Sequence, residues 1–345
     1  METGALKHRA VLRLGVAYTL AMLIAYMGER TLGFLLPVLT TVMLSLPLPR
    51  PTLQQNFRNM LHTLAGFSAG ATLAILFMPG PAIYTLLLGL GLFYSYYVFN
   101  RGASLWLVLM LLMSLLLMPM LMLMHQQLAL GVLFEFVVFA WIAVWLVFFA
   151  HLLWPDPETA PPPTRQALRE YSPQTALAAA RSTAVVLPLA LLFISLQWTG
   201  QILVLVFAAL FTLTADQKMG WKAARNSLVS TLLGGMAAYL FYALLVAVPQ
   251  FYFFILLHLL TVLLFAHQIF SGSRLAPYMA SALTTLVLLV NASLGEGTDF
   301  TRTFMNRFGL IVLAAFYVVF ALGFLDRLAR HRKRSQRVSG ISMSA

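Results

Sequence analysis

The sequence predicts an all-α, polytopic membrane protein of about twelve transmembrane helices, laid out as two six-helix repeats that enter the bilayer in the same direction. Three observations carry this. The 345-residue chain is 61% hydrophobic and 9% charged, with a mean hydropathy of +0.87; a soluble domain holds about a quarter charged residues. The apolar residues come in runs of roughly 17 to 25, long enough to span hydrocarbon as helices, and lack the period-2 alternation of outer-membrane strands. Two stretches, "RNMLHTLAGFSAG" from Arg58 and "RNSLVSTLLGGMA" from Arg225, are near-copies half a chain apart.

The apolar segments fall at residues 10–28, 32–48, 60–78, 82–99, 103–124, 128–153, 176–195, 199–215, 226–247, 250–267, 275–293 and 305–325. The first has the basic start and apolar run of a signal peptide. No small-x-small cleavage site follows, so it reads as a retained span. Segments 32–48 and 199–215 are the shortest. Residues 154–174, "WPDPETAPPPTRQALREYSPQ", form a polar linker, because prolines 155, 157, 161, 162 and 163 forbid helix there. The organisation expected is a first repeat over 1–153, the linker, a second repeat over 175–326 and a basic tail over 327–345.

Charge tests the count independently. With a cytoplasmic N-terminus, 19 of the 22 basic residues fall on the cytoplasmic side, and only Arg30, Arg302 and Arg307 fall outside. That is the positive-inside pattern. It places both termini in the cytoplasm, and it accounts for the net charge of +12 without nucleic acid. With no cysteine, and seven histidines lacking metal-ligand spacing, no metal or cofactor is expected. No Gly-rich phosphate loop with a following Gly-Lys-Ser/Thr is present either.

A shift of 168 residues lays Arg13 on Arg181, Arg50 on Lys218, Thr63 on Thr231, Leu64 on Leu232 and Gly66 on Gly234. Six spans per half give parallel repeats related by an axis along the membrane normal. Each copy carries a small-xxx-small pair, Gly66 with Gly70 and Gly234 with Ala238. Four-residue spacing puts both members on one helix face, where another backbone can approach closely.

An early basic residue, then "FLLPVLTTVMLSLP" (Phe34–Pro47) with a mid-helix proline, then a polar turn and "RNMLHTLAGFSAG" form a pattern. It resembles the fusaric acid resistance / aromatic acid exporter superfamily, in its short branch without a large soluble domain. The resemblance covers the first three spans most fully. It implies a bacterial inner-membrane protein that exports small organic anions, often aromatic carboxylates, in a proton-coupled manner and with a periplasmic adaptor of the membrane-fusion type. Larger relatives carry a cytoplasmic domain after span six, where this chain has only the proline-rich linker.

Among candidate site residues, Glu135 lies two turns into span six, in "GVLFEFVVFAW". An acid in hydrocarbon is costly when ionised and faces a cavity or a partner. It reads either as a proton-coupling carboxylate or as the structural partner of Arg307 or Arg302, with Gly131 letting a helix approach one turn away. His258, near mid-span ten, reads as a proton relay or as a histidine bonded to a neighbouring helix. His62 belongs to the repeated motif, but its counterpart is Ser230.

Asp216, Lys218, Lys222 and Arg225 cluster in one cytoplasmic turn. With Arg58 they read as attracting an anionic substrate, or simply as positive-inside loop residues. Tyr94, Tyr96, Tyr97 and Trp221 read as interfacial belt residues.

The competing function is a membrane enzyme of the acyltransferase type with His258 as base. Segments 250–267 and 275–293 offer such a base few polar neighbours, among them Ser281, Thr284, Thr285 and Asn291. The duplication favours a non-enzymatic transporter. Its expected partners are the lipid bilayer, an adaptor and a small organic anion, and the reading leaves room for a homo-oligomer.

Overall fold

The computed structural model describes residues 2–28, 32–45, 51–155, 172–199, 202–213, 217–295 and 300–342. Twelve helices lie among them. In chain order they are α1 (Glu2–Met27), α2 (Leu35–Ser45), α3 (Leu53–Phe77), α4 (Pro81–Asn100), α5 (Leu105–Met124), α6 (Gln126–Leu153), α7 (Pro173–Ser195), α8 (Ile202–Phe211), α9 (Gln217–Ala247), α10 (Phe251–Ile269), α11 (Ala276–Gly295) and α12 (Phe300–Ser342). Each falls on one apolar segment of the sequence. Nine of the helices are long and apolar enough to cross a bilayer.

Of the other three, α2 and α8 are the two segments that are shortest in the sequence and reach about 15–17 Å at 1.5 Å per residue, and α11 runs over Ala276–Gly295. The basic tail begins as a continuation of α12, which runs without a break to Ser342.

Local chemistry sets the helix ends. Thr52 accepts from the Gln55 N–H while the Gln55 side chain accepts from the Thr52 N–H, a capping box that starts α3. Proline opens α4 and α7 at the first helical turn, where no N–H is needed. Within the helices, Thr40, Thr41, Ser45, Thr63, Ser95 and Thr183 donate their hydroxyls to the carbonyl four residues back. That satisfies a polar group within its own segment, as an apolar environment demands.

Along their apolar stretches the helix faces differ. Large residues point outward, for example Leu256, Leu260 and Leu264 on α10, and Phe316, Phe320 and Phe324 on α12. Small ones are buried, such as Ala140, Ala143, Ala208, Ala238, Ala282 and Ala314. Lipid tails are as apolar as leucine, so helices associate where small residues permit close contact and not where bulk is greatest.

Named contacts give the helix directions. Trp106 donates to the Asn59 carbonyl and to Thr63, and Ser114 donates to the Phe67 carbonyl, so α3 and α5 run parallel. Gly15 lies against Leu263 and Tyr18 against His258, so α1 and α10 run antiparallel.

The packing pairs recur six elements later. α3 packs extensively on α5, and α9 on α11; α3 packs on α6, and α9 on α12; α2 packs on α6, and α8 on α12. The contacts between the two halves of the chain follow the same rule: α1 on α10 answers α7 on α4, and α2 on α11 answers α8 on α5. The first and second halves are thus interlocked rather than set side by side.

Candidate functional site

The crossing of α1 and α10 buries a polar pair. His258 and Tyr18 are both 0% exposed. The Tyr18 hydroxyl and His258 Nδ1 share a hydrogen bond of 2.9 Å. Phe241 and Phe254 close on the imidazole, each with its ring centroid 4.5 Å away. His258 Nε2 is buried without a hydrogen-bond partner. A buried polar atom left unpaired costs about 1–3 kcal/mol. The pair therefore leaves one ring nitrogen hydrogen-bonded and the other buried without a partner, whichever tautomer the imidazole adopts. The imidazole is fully buried behind these rings. Of the two roles read from sequence, the bond to a neighbouring helix is the one whose geometry is present.

Glu135 sits partly buried on α6, and its Oε2 accepts from the Leu32 N–H at 3.0 Å. Leu32 belongs to the turn that leads into α2, and its carbonyl accepts from the Leu35 N–H. The acid thus ties α6 to the start of the short helix α2 through a charge-assisted bond. Gly131 corrects the sequence reading: it is exposed, and among the described residues a Cβ there would meet nothing within 4 Å, so no described helix packs closely on it. Arg302 is exposed, and the Arg307 side chain lies outside the described residues.

The small residues of the repeated motif lie at close crossings. A Cβ on Gly66 would stand 3.1 Å from the Met110 backbone, and one on Gly70 would stand 2.6 Å from the Ser114 carbonyl carbon. A Cβ on Gly234 would strike the Ala282 carbonyl oxygen and come within 2.8 Å of the Thr285 side chain. Ala238 is fully buried. Sequence reasoning passed over Gly235, whose Cβ would run into the Phe304 ring of α12.

Of the basic group, Arg58, Lys222 and Arg225 are exposed. Asp216 and the Lys218 side chain lie outside the described residues, so the turn is not assembled as a site here. His62 is half-buried with Nδ1 unpaired. Tyr94 and Trp221 are exposed, as belt residues are. Tyr96 is not: it is fully buried, and its hydroxyl donates to the Ala209 carbonyl and bonds Thr212 at 3.0 Å. Ser182 donates to the Thr212 carbonyl at 2.6 Å, which completes a polar knot among α4, α7 and the end of α8.

One sizeable groove, of about 920 Å³, opens between α3, α4 and α5. Its floor is Leu73, Leu111 and Leu115, and its α4 wall carries Phe93, Tyr94 and Tyr97. The volume lies within the roughly 300–1,000 Å³ of small-molecule sites.

Comparison with protein-family models, with curated proteins and with solved structures finds no match to this chain.

Proposed function

We propose that this chain is a secondary transporter of the bacterial inner membrane. In this reading it exports small organic anions, aromatic carboxylates among them, in exchange for protons, and hands them to a periplasmic adaptor. The observation that carries the reading is the packing correspondence, in which each major helix contact has a counterpart six elements on. Internal duplication with interlocked halves is a transporter architecture, because two like halves can rock about a shared interface and open alternately to either side. The twelve helices are read as twelve crossings. The two short ones, α2 and α8, hold the same place in each half.

Two groups are suited to the proton. His258 sits in the α1–α10 interface with Nε2 unpaired, where a change of charge bears directly on the contact between halves. Glu135 holds the entry to α2 as a hydrogen-bond acceptor. Protonation weakens that acceptor and frees the short helix to move. The enclosure of His258 by Phe241 and Phe254 weighs against the acyltransferase reading.

The test is transport by the purified protein in liposomes with an imposed pH gradient, using radiolabelled benzoate and fusarate as probes. Gradient-dependent accumulation that ceases on collapse of the gradient supports the reading. No movement of either anion in either direction refutes the substrate class, and anion movement indifferent to the gradient refutes the coupling.

A further inference from the structure

We propose that the groove between α3, α4 and α5 binds a small aromatic anion, with the ring in the groove and the anionic head between Arg58 and His62. As a step in transport this rests on the reading above; as a binding site it stands on the side chains alone. Those of α3 share one face. Ala65, Ala69 and Thr72 line the groove, and Arg58 and His62 precede them at the same alternating spacing of four and three residues. That spacing holds to a single helix face. The guanidinium and the imidazole therefore stand at the end of the groove nearest the start of α3.

Neither group has an anion. Arg58 is exposed, and it lies close enough to His62 for their charges to act on each other. Among the described residues no acid pairs with either. His62 Nδ1 is buried and has no hydrogen-bond partner. A carboxylate placed between them accepts from the guanidinium fork, and from Nδ1 in the tautomer that carries its proton there.

The opposite wall indicates what is attached to that charge. Counting equally in both directions from the α3–α4 turn at Pro79 and Gly80 sets Ala65 level with Tyr94 and His62 level with Tyr97. Both tyrosines line the groove beside Phe93. Phe93 and Tyr97 stack with centroids 5.9 Å apart and planes 9° apart. Aromatic surface on α4 faces alanines on α3, which makes a slot for a planar ring, and ring-to-ring contacts add to what burial alone supplies. The groove also opens sideways, where Ser68, Thr72 and Leu90 are exposed, so an acyl chain of the bilayer competes for it. A bare chain, however, meets neither the charge at Arg58 nor the preference of rings for rings.

The probe is radiolabelled 2-naphthoate, measured by equilibrium dialysis against the full chain in phosphatidylcholine nanodiscs, with empty nanodiscs as the blank. The wild type should bind it at least tenfold more tightly than 2-naphthamide, which lacks the charge, and than decahydronaphthalene-2-carboxylate, which lacks the aromatic ring. Arg58→Gln and His62→Phe should each weaken binding at least fivefold, and Ala69→Leu, which narrows the slot, at least tenfold. Because Ala69→Leu can misfold, a naphthoate carrying an aryl azide is also photolysed on the wild type. Labelled peptides should contain residues 58–73 or 87–97. Equal binding of the three compounds, undiminished binding by the folded Arg58→Gln protein, or labelling confined to other helices overturns the proposal. Benzoate efflux by a wild type that is labelled elsewhere removes this site and leaves the transport reading standing. Binding here without movement of any anion keeps the site and removes that reading.

Discussion

Gly70→Ala adds one methyl group at the tightest crossing of the first half. The ideal Cβ would lie 2.6 Å from the Ser114 carbonyl carbon and 2.7 Å from its oxygen, and on top of the Ser114 Oγ. Backbone atoms cannot rotate away, so α3 and α5 must part by nearly an ångström, and a gap of that size forfeits about a quarter to a half of each dispersion contact along the seam. Overpacking of this kind costs about 1–3 kcal/mol. Displacing Ser114 also endangers its 3.2 Å bond to the Phe67 carbonyl, worth about 1 kcal/mol. Against this, replacing glycine by alanine inside a helix gains about 0.5–1 kcal/mol. The net expectation is a loss of about 1–3 kcal/mol. Gly131→Ala is the matched control, since a Cβ there meets nothing within 4 Å, and only the helix gain of about 0.5–1 kcal/mol remains. Unfolding of both variants in mixed micelles, followed by tryptophan fluorescence, measures the difference. If Gly70→Ala proves as stable as Gly131→Ala, the close α3–α5 crossing is wrong.

Tyr18→Phe should destabilise the protein by about 1–3 kcal/mol because it leaves both imidazole nitrogens unpaired, whereas Tyr18→Phe with His258→Leu should recover most of that loss; a double-mutant cycle on unfolding free energy reads it. Glu135→Gln keeps a carbonyl oxygen for the Leu32 N–H but cannot titrate, so it should leave stability intact and stop gradient-driven efflux in liposomes; full pH-dependent efflux by this variant removes Glu135 from the coupling. Glu135→Ala removes the acceptor and should cost about 1 kcal/mol in the same unfolding assay, whatever its effect on transport. Cysteines placed at Gly80 and Gln197 should react with impermeant thiol reagents from the periplasm and one at Gln217 should not; labelling of Gln217 from outside would overturn the orientation.

What the sequence made legible is what depends on neighbours along the chain. Helix positions were readable because apolar runs and prolines are local, and the crossings at Gly66, Gly70 and Gly234 because four-residue spacing fixes a helix face. Partners were not readable. Tyr96 near a helix end has the form of a belt residue, and only contact with Thr212, 116 positions on, shows it buried. His258 is flanked by leucines, and nothing local tells that Tyr18, 240 positions earlier, meets it. Glu135 invited a search for an arginine, but the group it holds among the described residues is a backbone N–H, and every residue except proline carries one.

The two halves match in how their helices pack and differ in what they bury there. α1 on α10 and α7 on α4 are corresponding crossings. Under the 168 shift Tyr18 becomes Val186, and aligning the starts of α10 and α4 sets His258 against Leu88. Val186 and Leu88 are both fully buried in one apolar cluster. One crossing therefore holds a hydrogen-bonded pair with a spare nitrogen, and its counterpart holds hydrocarbon. Packing alone does not require the Tyr18–His258 pair, since Val186 and Leu88 close the corresponding contact with hydrocarbon, although Tyr84 Oη on the same helix α4 is also buried without a partner. A clamp needed for stability would serve both crossings equally, and its absence from one argues that stability is not its purpose. A group that must gain and lose a proton as the halves move needs to be present only once per cycle, and a partner crossing that cannot titrate keeps the stoichiometry at one. On the proposed transporter reading, this asymmetry makes the α1–α10 crossing the candidate place for coupling charge to movement, and proton-driven efflux by a His258→Leu variant would refute it.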